Sequence, residues 1–224
     1  MAQLRGKYSP VDPVAYGAPV ICPNSATGVT SAISGTNAEL IESVAKLWIA
    51  PGDRVVDVTV GRGVFWKNLP DQVVEKTDLA LDGTDCRKLP YEDQSVDVLV
   101  FDPPYQPLHG KPERKFGVGK SYRLDTSSLQ TISDVLDLYR EGIEEAARVV
   151  RPGGRIFVKC QDLTYNHRLH LVHLCVLRRM ADAGFDLADM FVLLNTSRMP
   201  QPTKRQQRAH RSHSYLLVGV RAQD

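Results

Sequence analysis

The residues best suited to chemistry in this sequence are Asp102, Pro103, Pro104 and Tyr105. They directly follow segment 95–101, an apolar run typical of a buried strand. In open α/β sheets, ligands bind beyond the carboxyl ends of the strands. A Pro-Pro turn that merely ends the strand is the structural alternative. The combination of an acid, two prolines and an aromatic residue at this point favours a catalytic site.

A second candidate site is segment 57–63, whose acid and glycines follow the predicted strand 54–58; it contains Asp57, Thr59, Gly61 and Gly63. Glycines in such a turn let the backbone approach a ligand closely, although plain turn glycines also explain the pair. Asp78 ends the next predicted strand, about twenty residues on, where a carboxylate can hold a ribose diol. Asp82 is a rival for this role.

Helical and strand patterns alternate along the chain, which predicts an α/β fold with a doubly wound, mainly parallel sheet. A helix capped by Thr36 or Asn37 is followed by strands at 54–58, 73–77 and 95–101, and Ser133 opens another helix. The remaining predicted elements are a strand at 155–159, a helix at 165–183, and strands at 187–194 and 214–220. Residues 1–35 are interpreted as an irregular arm and residues 36–224 as a single domain.

The charge distribution is more informative than the net charge of +2. Two basic clusters flank the candidate site, which favours a polyanionic substrate over ordinary solvated surface charge. The predicted nucleic-acid-binding residues are Lys111, Arg114, Lys115, Lys120 and Arg123 in the first cluster, and Lys204, Arg205, Arg208 and Arg211 in the second.

The sequence does not indicate a metal site, a disulfide framework or a membrane-spanning segment. The four cysteines are scattered, with no C-x-x-C pair, so we predict no metal site and a reducing, cytoplasmic setting. No apolar run approaches membrane-spanning length. His167, His170 and His173 recur every third residue of the predicted helix 165–183 and are interpreted as surface or packing residues.

The Asp-Pro-Pro-Tyr motif resembles motif IV of the amino-methyltransferases, class I enzymes that methylate adenine N6, cytosine N4 or guanine N2. Segment 57–63 resembles the family's cofactor loop, although Thr59 stands where an aromatic residue is usual. Segment 78–85 is shorter than the family norm, as if a helix were missing. Segment 213–218, with the basic run before it, is similar to the closing strand of small, phage-type DNA methylases.

This resemblance implies a Rossmann-like methyltransferase domain with an antiparallel C-terminal strand and S-adenosylmethionine as cofactor. The implied cofactor-binding residues are Asp57, Thr59, Gly61, Gly63, Asp78 and Asp85. An exocyclic amine is a poor nucleophile because its lone pair is delocalised into the ring. The Asp102 carboxylate and the Pro103 carbonyl are expected to accept its two hydrogens, while the prolines stiffen the loop and Tyr105 stacks on a flipped base.

The implied substrate is DNA, with adenine N6 preferred because the Asp form of the motif goes with adenine more often in this family. Cytosine N4 in DNA, adenine N6 or guanine N2 in RNA, and a non-catalytic nucleic-acid-binding subunit remain alternatives. No separate target-recognition domain is expected. Base recognition is assigned to loops 106–127 and 198–213, or to a second protomer, so that a monomer and a homodimer both stay open. Lys159, Gln161 and Asp162 are expected to border the site.

Overall fold

A mixed, seven-stranded sheet forms the centre of the computed structural model, which describes residues 20–107, 129–195, 209 and 211–223. The strands are β1 (Ala32–Gly35), β2 (Val55–Asp57), β3 (Val74–Lys76), β4 (Val96–Phe101), β5 (Val150–Cys160), β6 (Leu163–Tyr165), β7 (Arg168–His170), β8 (Phe185–Asn195) and β9 (His213–Arg221). The helices are α1 (Asn37–Trp48), α2 (Ile132–Val149) and α3 (Val172–Asp182), with a 3₁₀ turn at Phe65–Asn68.

The strand order across the sheet is β1-β8-β9-β5-β4-β2-β3, and β6 pairs with β7 in a separate hairpin. Strand β9 runs antiparallel to both of its neighbours, β5 and β8, whereas the other neighbouring pairs in the sheet are parallel. This arrangement confirms the predicted mainly parallel sheet with an antiparallel C-terminal strand.

Helices cover both faces of the sheet because its central strands are apolar on both sides. On one face, α1 packs over Val98, Val100 and Phe157. On the other, residues of α2 and α3 form a core with Leu99, Phe101 and Ile156. The doubly wound prediction is therefore confirmed, and the sheet provides a rigid platform for the loops at its edge.

Two capping boxes fix where helices begin. The Thr36 hydroxyl accepts a hydrogen bond from the Glu39 backbone, and the Glu39 carboxylate accepts one from the Thr36 backbone at 2.7 Å. Thr131 and Asp134 form the same reciprocal pair at the start of α2. Helix α2 therefore begins with Thr131 as its cap, two residues before the predicted Ser133, because the paired Asp134 satisfies the free backbone donors.

Two predicted regions differ from the structure, and one predicted contraction agrees with it. The end of the arm, Ala32–Gly35, forms the edge strand β1, paired with Val192–Asn195 of β8; four residues are too few to give a periodic signal. The predicted helix 165–183 was wrong over its first turns, where a hairpin turns at Asn166 and His167 with positive φ, so the three histidines do not share a helix. Residues 77–95 contain neither helix nor strand, which agrees with the predicted contraction.

The helices are short or carry many polar residues along their length. Within the described ranges, none of them is both long enough and apolar enough to cross a bilayer.

A buried carboxylate, Asp57, ends β2 and is only 2% exposed. Its Oδ1 accepts a hydrogen bond from the Thr59 backbone at 3.1 Å, and its Oδ2 accepts one from the Trp66 indole at 2.7 Å. Burial raises the pKa of Asp57 to about 7, although both hydrogen bonds act in the opposite direction. Asp57 thus fixes the loop after β2 and joins it to the 3₁₀ turn.

We predict that Trp66→Phe destabilises the protein more at about pH 8 than at about pH 5. The pKa of Asp57 in the folded protein lies above the ordinary value of 3.8. The contribution of Asp57 to the free energy of unfolding is therefore fully present below pH 3.8 and is lost as the pH rises through about 7. The indole hydrogen bond limits this loss because it favours the charged form. Its removal should cost about 1–3 kcal/mol at the higher pH, measured by urea unfolding.

Trp48→Phe is the matched control, because the Trp48 indole also donates to a carboxylate, Asp189 Oδ2, at 3.1 Å. The extra loss at high pH should be absent from this control. A Trp66→Phe penalty that is the same at both pH values would contradict the proposed link with Asp57.

Candidate active site

The sheet topology brings the predicted site residues to one edge. Strands β2 and β4 are parallel, with Asp57 beside Val100, and β4 and β5 are parallel, with Phe101 beside Val158. The residues that follow β2 and β4 and the last residues of β5 therefore meet at the carboxyl end of the sheet, the usual position of a ligand site.

Two cavities lie at this edge, one on each side of Thr59, Pro103 and Pro104, which line both. The first cavity has a volume of about 170 Å³ and extends towards Asp78 and α2. The second has a volume of about 230 Å³ and is lined by Asp102, Tyr105 and residues of the loop after β2. The structure thus places the two predicted motifs in the walls of adjoining cavities.

Asp102 is held at both its backbone and its side chain. Its backbone N–H donates to the Thr59 hydroxyl at 2.6 Å, and its Oδ1 accepts a hydrogen bond from the Tyr105 hydroxyl at 2.5 Å. The side chain of Asp102 is 13% exposed, and in the described part of the chain its Oδ2 accepts no hydrogen bond. Among the described residues, this carboxylate oxygen therefore has no donor, and it could accept a hydrogen bond from a ligand.

Thr59 gains a role that the sequence did not suggest. Its backbone N–H donates to Asp57 while its hydroxyl accepts from Asp102, so one residue connects the loop after β2 to the loop after β4. An aromatic side chain at this position could not accept that hydrogen bond. The substitution of threonine for the usual aromatic residue thus provides a polar link between the two motifs.

The first cavity is strongly acidic. Asp78 and Asp85 line it, as do three carboxylates of α2, with Arg87 as the cation in the same wall; the three are Asp134, Asp137 and Glu141. Asp78 is buried and accepts backbone hydrogen bonds from Gly61 at 3.0 Å and Ala80 at 2.7 Å. Such an excess of negative charge suits a cationic ligand and disfavours phosphate.

Asp85 is oriented by its neighbour Arg87. The guanidinium donates to both carboxylate oxygens, at 2.9 Å from Nε to Oδ1 and 2.7 Å from Nη2 to Oδ2. These hydrogen bonds lower the pKa of Asp85. Asp82, the rival of Asp78, instead caps the turn by accepting from the Thr84 backbone at 2.9 Å.

The glycine loop contributes backbone to the second cavity. Gly61 and Gly63 have positive φ values of 52° and 67°, which favour glycine. Gly61 lines the cavity together with the buried Asp57 and the apolar residues Val60 and Phe65. Both carboxylate oxygens of Asp57 accept hydrogen bonds from within the protein, so the direct role of this residue is to fix the conformation of the loop.

Cysteine nucleophiles are not available in the described site. Cys86 lines the first cavity, and burial raises the pKa of its thiol to about 12. Burial also raises the pKa of Cys160 at the end of β5. Both thiols are therefore neutral near pH 7 and act as apolar groups.

The polar residues at the end of β5 lie in two different environments. Lys159 contacts Tyr105, which lines the second cavity, and its Nζ lies 2.6 Å from the Tyr105 hydroxyl. Gln161 donates to the His213 carbonyl, and Asp162 accepts from the His173 backbone and contacts its ring Nδ1 at 2.7 Å. Of these three residues, only Lys159 contacts the Asp-Pro-Pro-Tyr motif. In the sequence, its position at the end of a predicted strand indicated that it would border the site.

Most of the predicted nucleic-acid-binding residues lie outside the described residues: Lys111, Arg114, Lys115, Lys120, Arg123, Lys204, Arg205 and Arg208. Arg211 is described and partly buried, just before β9. Its positive charge acts on Tyr215, whose pKa is nevertheless raised, chiefly by burial.

Comparisons with known proteins identify a family. A family model described as DNA methylase matches residues 96–223. Demethylmenaquinone methyltransferases from two Mycobacterium strains, KMS and MCS, are 30% identical over 176 residues, which cover 70% of this chain. The chain spans 64% of the length of these curated relatives.

One of two solved structures compared with this chain reaches a TM-score that shows a similar fold. An S-adenosylmethionine-dependent methyltransferase from Methanosarcina mazei is 10% identical, with 79% of this chain and 95% of that chain covered and a TM-score of 0.50. A putative DNA modification methylase from Thermus thermophilus, complexed with S-adenosyl-L-methionine, is 18% identical over 76% of this chain and 56% of that chain, with a TM-score of 0.41.

The family match covers more than half of the chain and extends from β4, through the Asp-Pro-Pro-Tyr motif, to the closing strand β9. The chain therefore belongs to the DNA methylase family.

Proposed function

We propose that this protein transfers a methyl group from S-adenosylmethionine to an exocyclic amino group of a base in DNA, with adenine N6 as the preferred target. The observation that carries the proposal is the position of Asp102. It follows β4 at the carboxyl edge of the sheet, lines a cavity and is held at both ends by hydrogen bonds. Membership of the DNA methylase family supports the same chemistry.

The first cavity fits the adenosine part of the proposed cofactor, and the glycine loop with Thr59 and Gly61 would hold the remainder where the two cavities adjoin. Its acidic wall suits a cationic molecule, and its apolar lining of Val58, Leu79 and Leu138 suits an adenine ring. Asp78 would accept hydrogen bonds from the ribose hydroxyls, and Asp85 would accept one from the adenine amino group. Each carboxylate oxygen has more than one lone pair, so both acids can bind a ligand while keeping their present partners. When bound, the cofactor supplies an electrophilic methyl group on a sulfonium.

The target amine would be activated by two acceptors. The Asp102 carboxylate and the Pro103 carbonyl would hold its two hydrogens, which draws the nitrogen towards tetrahedral geometry and frees its lone pair. The same acceptors stabilise positive charge as it develops on that nitrogen. Pro103 and Pro104 are buried and rigid, so the acceptors need little reorganisation. The Tyr105 ring, in the wall of the second cavity, would stack on the flipped base.

Direct transfer to the amine is supported by the state of the cysteines. The raised pKa values of Cys86 and Cys160 disfavour a thiolate, and Asp102 acts here as an acceptor of hydrogen bonds. The mechanism we propose has no covalent enzyme intermediate: the nitrogen would gain the methyl group and lose one proton to solvent, and S-adenosylhomocysteine would be released. The basic clusters at 111–123 and 204–211 would neutralise phosphates, so that DNA affinity falls with salt concentration.

Asp102→Ala should lower the rate of methyl transfer by at least about 10²- to 10³-fold, because the developing charge loses its main acceptor. Binding of S-adenosylmethionine should change little, since Asp102 lines the second cavity and the adenosine part of the cofactor is assigned to the first. Radiolabel transfer and calorimetry measure the two effects. An equal loss of transfer and of cofactor binding would show that Asp102 is structural.

Asp78→Asn should weaken S-adenosylmethionine binding by about 10- to 100-fold, because a charged acceptor for the ribose is replaced by a neutral one. Asp82→Asn is the matched control, four residues away in the same turn and bonded to the Asp78 backbone at 3.3 Å. Calorimetry should show near-normal affinity for this control. Loss of affinity in Asp82→Asn alone would assign the ribose contact to Asp82.

Nucleoside mass spectrometry of duplex DNA incubated with the protein and S-adenosylmethionine should detect N6-methyladenine. Detection of N4-methylcytosine alone would overturn the assignment of the base. Methylation of RNA alone would establish the RNA alternative. S-adenosylmethionine binding by calorimetry tests the non-catalytic alternative, because a pure nucleic-acid-binding subunit has no need of the cofactor.

A further inference from the structure

Lys159 is a buried cation beside the candidate catalytic motif. It precedes the last residue of β5, and its side chain is only 4% exposed. A buried ammonium group is costly unless its hydrogen-bonding capacity and charge are satisfied. Here Nζ donates to the Tyr105 hydroxyl at 2.6 Å and lies 3.9 Å from Asp102 Oδ1. It also lies 5.5 Å and 5.2 Å from the ring centres of Phe65 and Tyr105.

The direction of the hydrogen bonds is fixed by chemistry. An ammonium group can only donate, so the Tyr105 oxygen accepts from Lys159. The Tyr105 hydroxyl proton is then available to Asp102 Oδ1, at an oxygen–oxygen distance of 2.5 Å. A polar chain therefore runs from Lys159 through Tyr105 to the Asp102 carboxylate.

This chain completes the fixation of Asp102. Thr59 holds the backbone of Asp102, and Tyr105 holds one oxygen of its side chain. Because Oδ1 is engaged, rotation of the carboxylate is restricted, and Oδ2 is the oxygen left for the amino group of a base. A catalytic acceptor gains from such preorganisation because it needs no rearrangement as charge develops.

The geometry points to Lys159 as a positioning residue, which acts through the Tyr105 hydroxyl to orient the Asp102 carboxylate. This inference rests on the proposed methyl transfer. It also gives Tyr105 two separable functions, since the ring can stack on a base while the hydroxyl holds Asp102. Phenylalanine retains the first function and removes the second.

Lys159→Met and Tyr105→Phe test the inference. Methionine keeps much of the length of the lysine side chain without its charge or its donors. Each variant should reduce kcat by about 10- to 100-fold, while KM for S-adenosylmethionine changes by less than about twofold. The double variant should be no slower than the slower single variant, because both changes break the same chain.

Lys46→Met is the control, because Lys46 is an exposed lysine paired with Glu42 on α1 and lies outside the site. Its kcat should equal that of the unmodified protein. Losses in the two test variants that multiply in the double variant, or a normal kcat in Lys159→Met, would overturn the inference. A rise in KM with an unchanged kcat would instead show that Lys159 serves binding alone, which also overturns it.

A measurement without substrate separates this inference from the proposed function. The short Tyr105–Asp102 hydrogen bond should give a downfield hydroxyl proton resonance in NMR spectra, identified by its loss in Tyr105→Phe. Lys159→Met should shift or broaden this resonance, and Lys46→Met should leave it unchanged. If the unmodified protein methylates no nucleic acid, the proposed function fails, yet the resonance still reports whether Lys159 orients the pair. An unchanged resonance in Lys159→Met overturns the inference in either case.

Discussion

The site depends on how one carboxylate is held at the end of β4. Asp102 follows a strand whose two neighbours, β2 and β5, supply its partners: Thr59 comes from the loop after β2, and Lys159 comes from the end of β5. Parallel pairing of the three strands is what brings these residues together. The apolar packing of Val100, Phe101 and Phe157 on both faces of the sheet therefore has a chemical consequence, since it fixes the geometry of a polar group at the edge.

Charge divides the site into two parts that would suit different ligands. The first cavity has acidic walls contributed by the turn after β3 and by α2, and this potential favours a cation. The second cavity is mainly apolar around Asp102, which suits the flat face of a base. The two cavities adjoin at Thr59, Pro103 and Pro104. A methyl donor in the first cavity and a base in the second would therefore meet at these residues. Basic segments elsewhere in the sequence carry the complementary charge for phosphates.

Local signals in the sequence predicted the parts of the fold that local chemistry determines. The apolar run before Asp102, the cap at Thr36 and the closing strand β9 all lie where their patterns indicated. The hairpin at 163–170 was misassigned because its leucines and histidines also fit a helical period, and the left-handed turn at Asn166 and His167 has no glycine to reveal it. Strand β1 is stabilised by its pairing with β8, which is a contact between distant segments.

The candidate site was predictable in its motifs but not in its connections. Asp102 could be recognised from its neighbours in sequence, whereas its bond to Thr59 spans 43 residues and the Lys159–Tyr105 bond spans 54. Such contacts follow from strand register, which a single sequence does not encode locally. Asp57 is a second example. Only the structure reveals that this acid is buried and accepts a hydrogen bond from the Trp66 indole.

The most direct test of the proposed mechanism is a crystal structure of the protein with S-adenosylhomocysteine and an oligonucleotide substrate. The proposed mechanism predicts a base in the second cavity with its exocyclic nitrogen within hydrogen-bonding distance of Asp102 Oδ2 and the Pro103 carbonyl, and the adenosine part of the cofactor product in the first cavity beside Asp78. A complex in which the amino group lies away from Asp102, or in which the two ligands occupy unconnected sites, would contradict it.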